Sequence, residues 1–112
     1  MVTVDAVMAA ITPATVIVSV MHSNNEVGTI NPIAEIAAAL KDARSQSAGG
    51  APILFHSDTS QSLGKVPIDA RDLGVDFLTV TGHKLYAPKG IGALYVKRGP
   101  PRLPKLMHGA GH

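Results

Sequence analysis

The stretch that decides the fold runs from Thr81 to Gly90 and reads Thr-Gly-His-Lys-Leu-Tyr-Ala-Pro-Lys-Gly. A strand-like run at 75–80 precedes it, and its glycines and proline are typical of a loop. Open α/β sheets bind ligands outside the carboxyl ends of their parallel strands. Lys84 is therefore either a solvated loop charge or a chemical group. Its position alone favours the solvated charge, whereas the neighbouring Thr81 and His83 favour chemistry, since lysine forms Schiff bases with carbonyl compounds.

Length and composition indicate a globular α/β protein. The 112 residues make one domain or part of one, and 46% apolar residues with 11 Gly and 8 Pro suit a fold rich in turns. The net charge is only +2. The one basic cluster has no aromatic residue within it, which is more typical of a solvated loop than of a nucleic-acid patch. It consists of Lys97, Arg98, Arg102 and Lys105. We expect no nucleic-acid partner.

The residues that the chain lacks exclude several function classes. With no cysteine, it can form no disulfide and no thiolate metal site, and it can do no thiol chemistry of its own. No apolar run reaches the roughly 18 residues that span a bilayer. We expect a soluble protein of the cytoplasm or an organellar matrix with no membrane partner. Its five histidines include no i, i+4 pair on a predicted helix, so we also expect no metal site.

The first half of the chain alternates helix, strand and helix. Apolar residues at helical spacing predict a helix over 4–11, and the run from Val16 to Met21 predicts a buried parallel strand. Asn31 and Pro32 are typical of an N-cap and a first helical position. The apolar stripe that follows predicts a helix ending near Ser45.

The second half predicts three further strands. They cover 53–55, 75–80 and 91–96, with short helical pieces near 61–63 and 69–73 and a surface loop at 45–52. The connection between the last two strands is too short for a parallel crossover, so the last strand should run antiparallel. The predicted fold class is α/β, a mostly parallel sheet with one antiparallel strand.

Polar clusters follow two of these strands. The segment from His22 to Gly28 follows the first, and that from His56 to Gln61 follows the second. Each has an ordinary structural interpretation, because Asn and Gly suit turns and Asp58 can cap a helix. Each also lies at the sheet edge where ligands bind.

Four segments in this order resemble the cysteine desulfurase and selenocysteine lyase family, pyridoxal-phosphate enzymes of aminotransferase class V. They are Asn-Asn-Glu-Val-Gly at 24–28, His-x-Asp-x-x-Gln at 56–61, Thr-Gly-His-Lys at 81–84 and His-Gly-Ala-Gly-His at 108–112. The resemblance implies that residues 1–112 are the central part of the large cofactor-binding domain of a fold-type I aminotransferase-like enzyme. The family's first phosphate-binding loop and its cysteine-bearing loop have no counterpart among these residues.

The resemblance also implies roles for particular residues. Lys84 would form the Schiff base with pyridoxal 5′-phosphate, and Asp58 would pair with the ring nitrogen. Asn25 and Gln61 would lie at the phenolic oxygen, while Thr81 and His83 would hold the phosphate. A carboxylate that keeps the ring nitrogen protonated makes the cofactor an electron sink for the substrate carbanion.

The implied reaction removes sulfur or selenium from cysteine or selenocysteine and leaves alanine. The resemblance further implies a homodimeric parent enzyme, a possible sulfur-acceptor protein and a link to iron–sulfur cluster assembly. Two other functions stay open from the sequence: another class V enzyme that uses the same cofactor, and a non-catalytic remnant that binds a partner through its sheet edges.

Overall fold

The fold is a four-stranded sheet with two helices. The computed structural model describes residues 1–46, 52–99 and 103–104. In chain order the elements are α1 (Val4–Ala10), β1 (Ile17–Met21), α2 (Ile33–Gln46), β2 (Leu54–Asp58), β3 (Phe77–Thr81), a 3₁₀ helix (Gly82–Leu85) and β4 (Gly92–Val96). Among the helices of the described part, none is long and apolar enough to cross a membrane.

The sheet has the predicted topology. Its strand order is β1-β2-β3-β4, with β1, β2 and β3 parallel to one another. Strand β4 pairs with β3 in the antiparallel direction, which confirms the argument from the short connection. The first three strands therefore end at the same edge of the sheet, and the segments that follow them lie at that edge.

Helix α2 covers one face of the sheet because its apolar stripe is continuous. Ile33, Ile36 and Leu40 are almost fully buried and pack in one core cluster with Phe55 of β2. The preceding Asn31 does not have the predicted capping role. Its side-chain amide donates to the Met21 carbonyl and its side-chain oxygen accepts from the Val2 backbone N–H, so it joins α2 to β1 and to the start of the chain.

The predicted burial of the first strand is wrong at its beginning. Val16 is 61% exposed and Ile17 is 50% exposed, whereas Val20 is buried. Among the strands that the structure describes, β1 pairs only with β2, and uniform apolar sequence does not reveal that a strand lies at a sheet edge. The side chains near its amino end therefore lack the neighbours that a central strand would have.

Two predicted short helices are turns instead. After β2, the Thr59 carbonyl accepts from the Ser62 and Leu63 backbone N–H groups, and Leu63 then forms an isolated bridge with Val66. After residue 68, the Leu73 N–H donates to the Asp69 carbonyl and the Gly74 N–H donates to the Arg71 carbonyl, which closes no more than a turn. One closed turn fixes many dihedral angles for one hydrogen bond, so helices this short are rarely stable.

Candidate functional site

Strand alternation decides which residues face the helices. Val20, Phe55 and Leu78 belong to the core cluster with α2. Since successive side chains point to opposite faces of a sheet, Asp58 and Thr81 lie on the face opposite α2. Both residues are the last of their strands.

All six predicted site residues lie at or just after the carboxyl ends of β1, β2 and β3. Asn25 lies in the turn after β1, Gln61 lies three residues after Asp58, and His83 and Lys84 lie in the 3₁₀ helix that continues β3. The topology therefore brings the six residues to one edge of the sheet.

The Asp58 carboxylate is held at the end of β2. Its Oδ1 accepts a hydrogen bond of 2.8 Å from the Ser60 backbone N–H, and its backbone carbonyl accepts one of 2.8 Å from the His22 N–H. Within the part of the chain that the structure describes, Oδ2 has no hydrogen-bond partner. The half-buried carboxylate thus has a fixed orientation and one oxygen available to a ligand.

A buried threonine fixes the turn that carries Gln61. The Thr59 hydroxyl donates to the Thr79 carbonyl at 2.8 Å, and the Thr59 N–H donates to the same carbonyl at 3.0 Å. Thr59 has no exposed surface. The turn after β2 is therefore bound to β3, while Gln61 stays half-buried and forms no hydrogen bond to any described residue.

The residues after β3 require a glycine. The Gly82 N–H donates to the Ile91 carbonyl at 2.8 Å, and a Cβ at position 82 would lie 2.7 Å from the same oxygen. The 3₁₀ helix then presents His83 and Lys84 as exposed side chains. Tyr86, in the left-handed conformation with φ of 63°, ends the helix.

Asn24 rather than Asn25 stabilises the turn after β1. The Asn24 side-chain oxygen accepts from the Glu26 and Val27 backbone N–H groups at 2.8 and 3.1 Å, and its backbone carbonyl accepts from Gly28. Asn25 is exposed at the tip of this turn, and its side chain makes no hydrogen bond within the described residues. It is therefore the asparagine of this pair that is available to a ligand.

Polar side chains link the strands through contacts that the sequence did not indicate. The His56 ring lies 2.7 Å from the Ser19 hydroxyl through Nδ1 and 2.8 Å from the Thr79 hydroxyl through Nε2, so it joins β1, β2 and β3. Ser60 joins β2 to β3, because its hydroxyl lies 2.6 Å from that of Thr81. These contacts are between residues far apart in sequence, and only the strand register reveals them.

Two buried polar atoms lack partners in the described part of the chain, His22 Nδ1 and Ser57 Oγ. Both residues are at most 6% exposed. Burial lowers the pKa of His22 below its usual value, because the charged imidazolium is poorly solvated there. His22 is therefore a neutral structural histidine near neutral pH.

The described residues contain no group of three or more metal-ligating side chains close enough to hold an ion. A concavity of about 480 Å³ lies near the amino end of β3 and the carboxyl end of β4, and its lining includes Arg71, Val75 and Tyr95. Neither Asp58 nor Lys84 contributes to it. Lys97 and Arg98 are exposed, as expected, whereas Arg102, Lys105 and the predicted segment 108–112 lie outside the described residues.

Comparison with known proteins gives a family match over the whole chain. The model of the family described as "Aminotransferase class-V" matches residues 1–112. Among curated relatives, a protein named cysteine desulfurase IscS from Anaeromyxobacter dehalogenans (strain 2CP-C) is 47% identical over 107 residues, which are 95% of this chain and 24% of that protein. Its namesake from Mannheimia succiniciproducens is 45% identical over 113 residues, covering all of this chain and 26% of the relative.

Solved structures give a similar match. A structure described as "SspA in complex with cysteine" has a TM-score of 0.82 and 40% identity over 98% of this chain and 30% of the other. A structure described as a NifS-like protein has a TM-score of 0.82 and 34% identity over 98% and 28%. The chain thus spans about a quarter of the length of the curated relatives that it matches.

Proposed function

The chain belongs to the aminotransferase class-V family, and on that premise we propose that residues 1–112 form part of the pyridoxal-phosphate-binding domain of a cysteine desulfurase or selenocysteine lyase type enzyme. The family and the similar cysteine desulfurases use this cofactor. The proposal for this chain concerns its own residues: which of them bind the cofactor, and what reaction they serve.

The observation that carries the proposal is the placement of six functional groups at one sheet edge. Three adjacent parallel strands end there, which is where open α/β sheets bind their ligands. A carboxylate, an amine, an imidazole, a hydroxyl and two side-chain amides follow those strands. These groups are chemically matched to the different parts of one cofactor.

The groups at this edge fit pyridoxal 5′-phosphate one by one. Asp58 has a fixed carboxylate with Oδ2 available to a protonated ring nitrogen, and the Thr81 hydroxyl and the exposed His83 ring can donate to a phosphate. Asn25 and Gln61 can donate to the phenolic oxygen. Lys84 supplies the amine for covalent attachment to the aldehyde.

When bound, the cofactor supplies an electron sink for charge that develops at the substrate α-carbon. Asp58 would maintain this property by holding the proton on the ring nitrogen. We propose cysteine or selenocysteine as the substrate and alanine as the product. Because this chain contains no cysteine, a thiolate that accepts sulfur would have to come from outside these 112 residues.

The partners of the parent enzyme belong to the same proposal. The amino-acid substrate is supported by a similar structure described as a complex with cysteine, and the relatives named IscS support a role in iron–sulfur cluster assembly. A homodimeric parent and a sulfur-acceptor protein are the further partners that we propose. The proposed location is the cytoplasm or an organellar matrix.

Selective covalent labelling of Lys84 tests the proposal. The purified chain is incubated with pyridoxal 5′-phosphate, reduced with borohydride and digested, and the modified lysine is identified by mass spectrometry. We expect label at Lys84, and none at that position in Lys84→Ala. Asp58→Ala should reduce the labelling at Lys84, because the ring nitrogen loses its partner.

Lys89 provides the matched control. It is an exposed lysine in the same loop, so Lys89→Ala should leave the labelling of Lys84 unchanged. Equal labelling of Lys84, Lys89 and Lys65 would show that the amine is not selected by a site and would contradict the proposal. Selective labelling of Lys89 would contradict the assignment of Lys84.

A further inference from the structure

Ser60 contacts residues from both ends of the proposed cofactor site. Its backbone N–H donates to Asp58 Oδ1 at 2.8 Å, and its hydroxyl lies 2.6 Å from the Thr81 hydroxyl. Asp58 is proposed to bind the ring nitrogen and Thr81 the phosphate. One residue therefore orients a group at each end.

The Thr81 hydroxyl is in an unusual situation for its position. Thr81 is the N-cap residue of the 3₁₀ helix, where a threonine side chain commonly accepts a hydrogen bond from a backbone N–H of the first turn. Here the hydroxyl makes no such bond. Its partner is Ser60 on the neighbouring strand end, so the contact with Ser60, rather than capping, determines its orientation.

The number of hydrogen bonds that each of the two hydroxyls can donate and accept determines whether Thr81 can donate to a third group. Each hydroxyl has one hydrogen to donate and two lone pairs to accept. If Ser60 donates to Thr81, the Thr81 hydrogen stays available for a third group. A phosphate at this edge accepts hydrogen bonds, so it favours this arrangement, in which Ser60 also polarises the Thr81 hydroxyl.

We propose that Ser60 is a positioning residue that orients the Thr81 hydroxyl toward the phosphate of the cofactor. This inference rests on the proposed function. The family resemblance implies no role for Ser60. The inference also assigns a different role to each of the two contacts that Ser60 makes. The backbone N–H acts on Asp58, whereas the hydroxyl acts on the phosphate end alone.

This separation makes the inference testable with two ligands that differ only in the phosphate. Ser60→Ala removes the hydroxyl and retains the backbone N–H. We expect the concentration of pyridoxal 5′-phosphate that half-saturates labelling of Lys84 to rise roughly three- to tenfold, the range for loss of one oriented hydrogen bond. With pyridoxal, which has no phosphate, the half-saturating concentration should not change.

Two further variants separate positioning from general strand stability. Ser60→Thr retains the hydroxyl, so this variant should keep the wild-type preference for the phosphorylated ligand. Ser19→Ala is the matched control, because it deletes a hydroxyl that also bridges two strands through its contact with His56 but lies away from the strand ends. Ser19→Ala should leave unchanged the ratio of the half-saturating concentration of pyridoxal to that of pyridoxal 5′-phosphate.

The outcomes distinguish this inference from the function on which it rests. If wild-type Lys84 is labelled selectively and Ser60→Ala changes labelling by both ligands equally, or by neither, the positioning role is overturned while the proposed function stands. The positioning role is likewise overturned if Ser19→Ala lowers the ratio of the half-saturating concentration of pyridoxal to that of pyridoxal 5′-phosphate as much as Ser60→Ala does. If neither ligand labels Lys84 of the wild-type chain selectively, the proposed function fails and the inference fails with it.

Discussion

Gly82→Ala should destabilise the chain chiefly through one steric contact. The added Cβ would lie 2.7 Å from the Ile91 carbonyl oxygen, about 0.7 Å closer than the 3.4 Å at which ordinary contact begins. Gly82 is not among the glycines with positive φ, so the backbone conformation itself suits alanine. The cost therefore comes mainly from displacing Ile91, with a smaller part from Ala87, whose Cβ would lie 3.3 Å from the added one.

The magnitude follows from two effects at the same oxygen. Overpacking of this kind costs about 1–3 kcal/mol. The displaced carbonyl also accepts the 2.8 Å hydrogen bond from the Gly82 N–H, and a weakened backbone hydrogen bond costs up to about 1 kcal/mol. We expect the free energy of unfolding to fall by about 1–4 kcal/mol.

Urea unfolding of the purified chain measures this change, with Gly90→Ala as the control. Gly90 has φ of +86° and nothing within 4 Å of its added Cβ, so its substitution isolates backbone strain, at about 1–2 kcal/mol. Gly82→Ala should also reduce covalent labelling of Lys84, because the 3₁₀ helix must shift. A loss below about 1 kcal/mol for Gly82→Ala would refute the steric argument.

Three other predictions concern buried polar groups and the exposed face of the sheet. Ser57→Ala should leave the free energy of unfolding unchanged or raise it by up to about 1 kcal/mol, because it removes a buried hydroxyl with no described partner. Thr59→Val should lower the free energy of unfolding by about 1 kcal/mol, because it removes a hydrogen bond. Urea unfolding measures both changes. The pKa of His22 is lowered in the folded state, so the unfolded state binds more protons once the pH falls below the ordinary histidine pKa of 6.5. The free energy of unfolding should therefore fall as the pH drops from 6.5 toward the lowered pKa. His22→Gln should flatten that profile. The chain should associate in sedimentation experiments as its concentration rises, and Leu94→Lys should weaken association because Leu94 is 52% exposed on an outer strand.

The direction of the strands could be predicted because it depends on local signals. Apolar runs separated by turn residues predicted the elements, and the short connection from Thr81 to Gly90 excluded a parallel crossover. The edge position of β1 could not be predicted, because the run at 16–21 is apolar whether or not a neighbour covers it. The exposure of Ile17 is a consequence of sheet order, which the local sequence does not encode.

The site shows the same division between local and long-range information. The sequence located Asp58 and Lys84 at strand ends, and the topology agrees. It did not indicate that Asn24 would form the turn and leave Asn25 exposed, because both positions carry the same residue and only the backbone geometry distinguishes them. It also missed Ser60, whose contact with Thr81 spans 21 positions in sequence.

The contact made by the Ser60 hydroxyl could not be predicted from the sequence, for a definite physical reason. Serine after a strand is typical of a turn, and its backbone N–H does make the turn contact to Asp58 that such a pattern predicts. The hydroxyl, however, reaches β3, and that contact depends on the register in which Asp58 pairs with Thr79. A shift of one residue in this register would turn the paired side chains to opposite faces and separate Ser60 from Thr81. Correct pairing of β2 with β3 therefore sets the geometry at both ends of the proposed cofactor site.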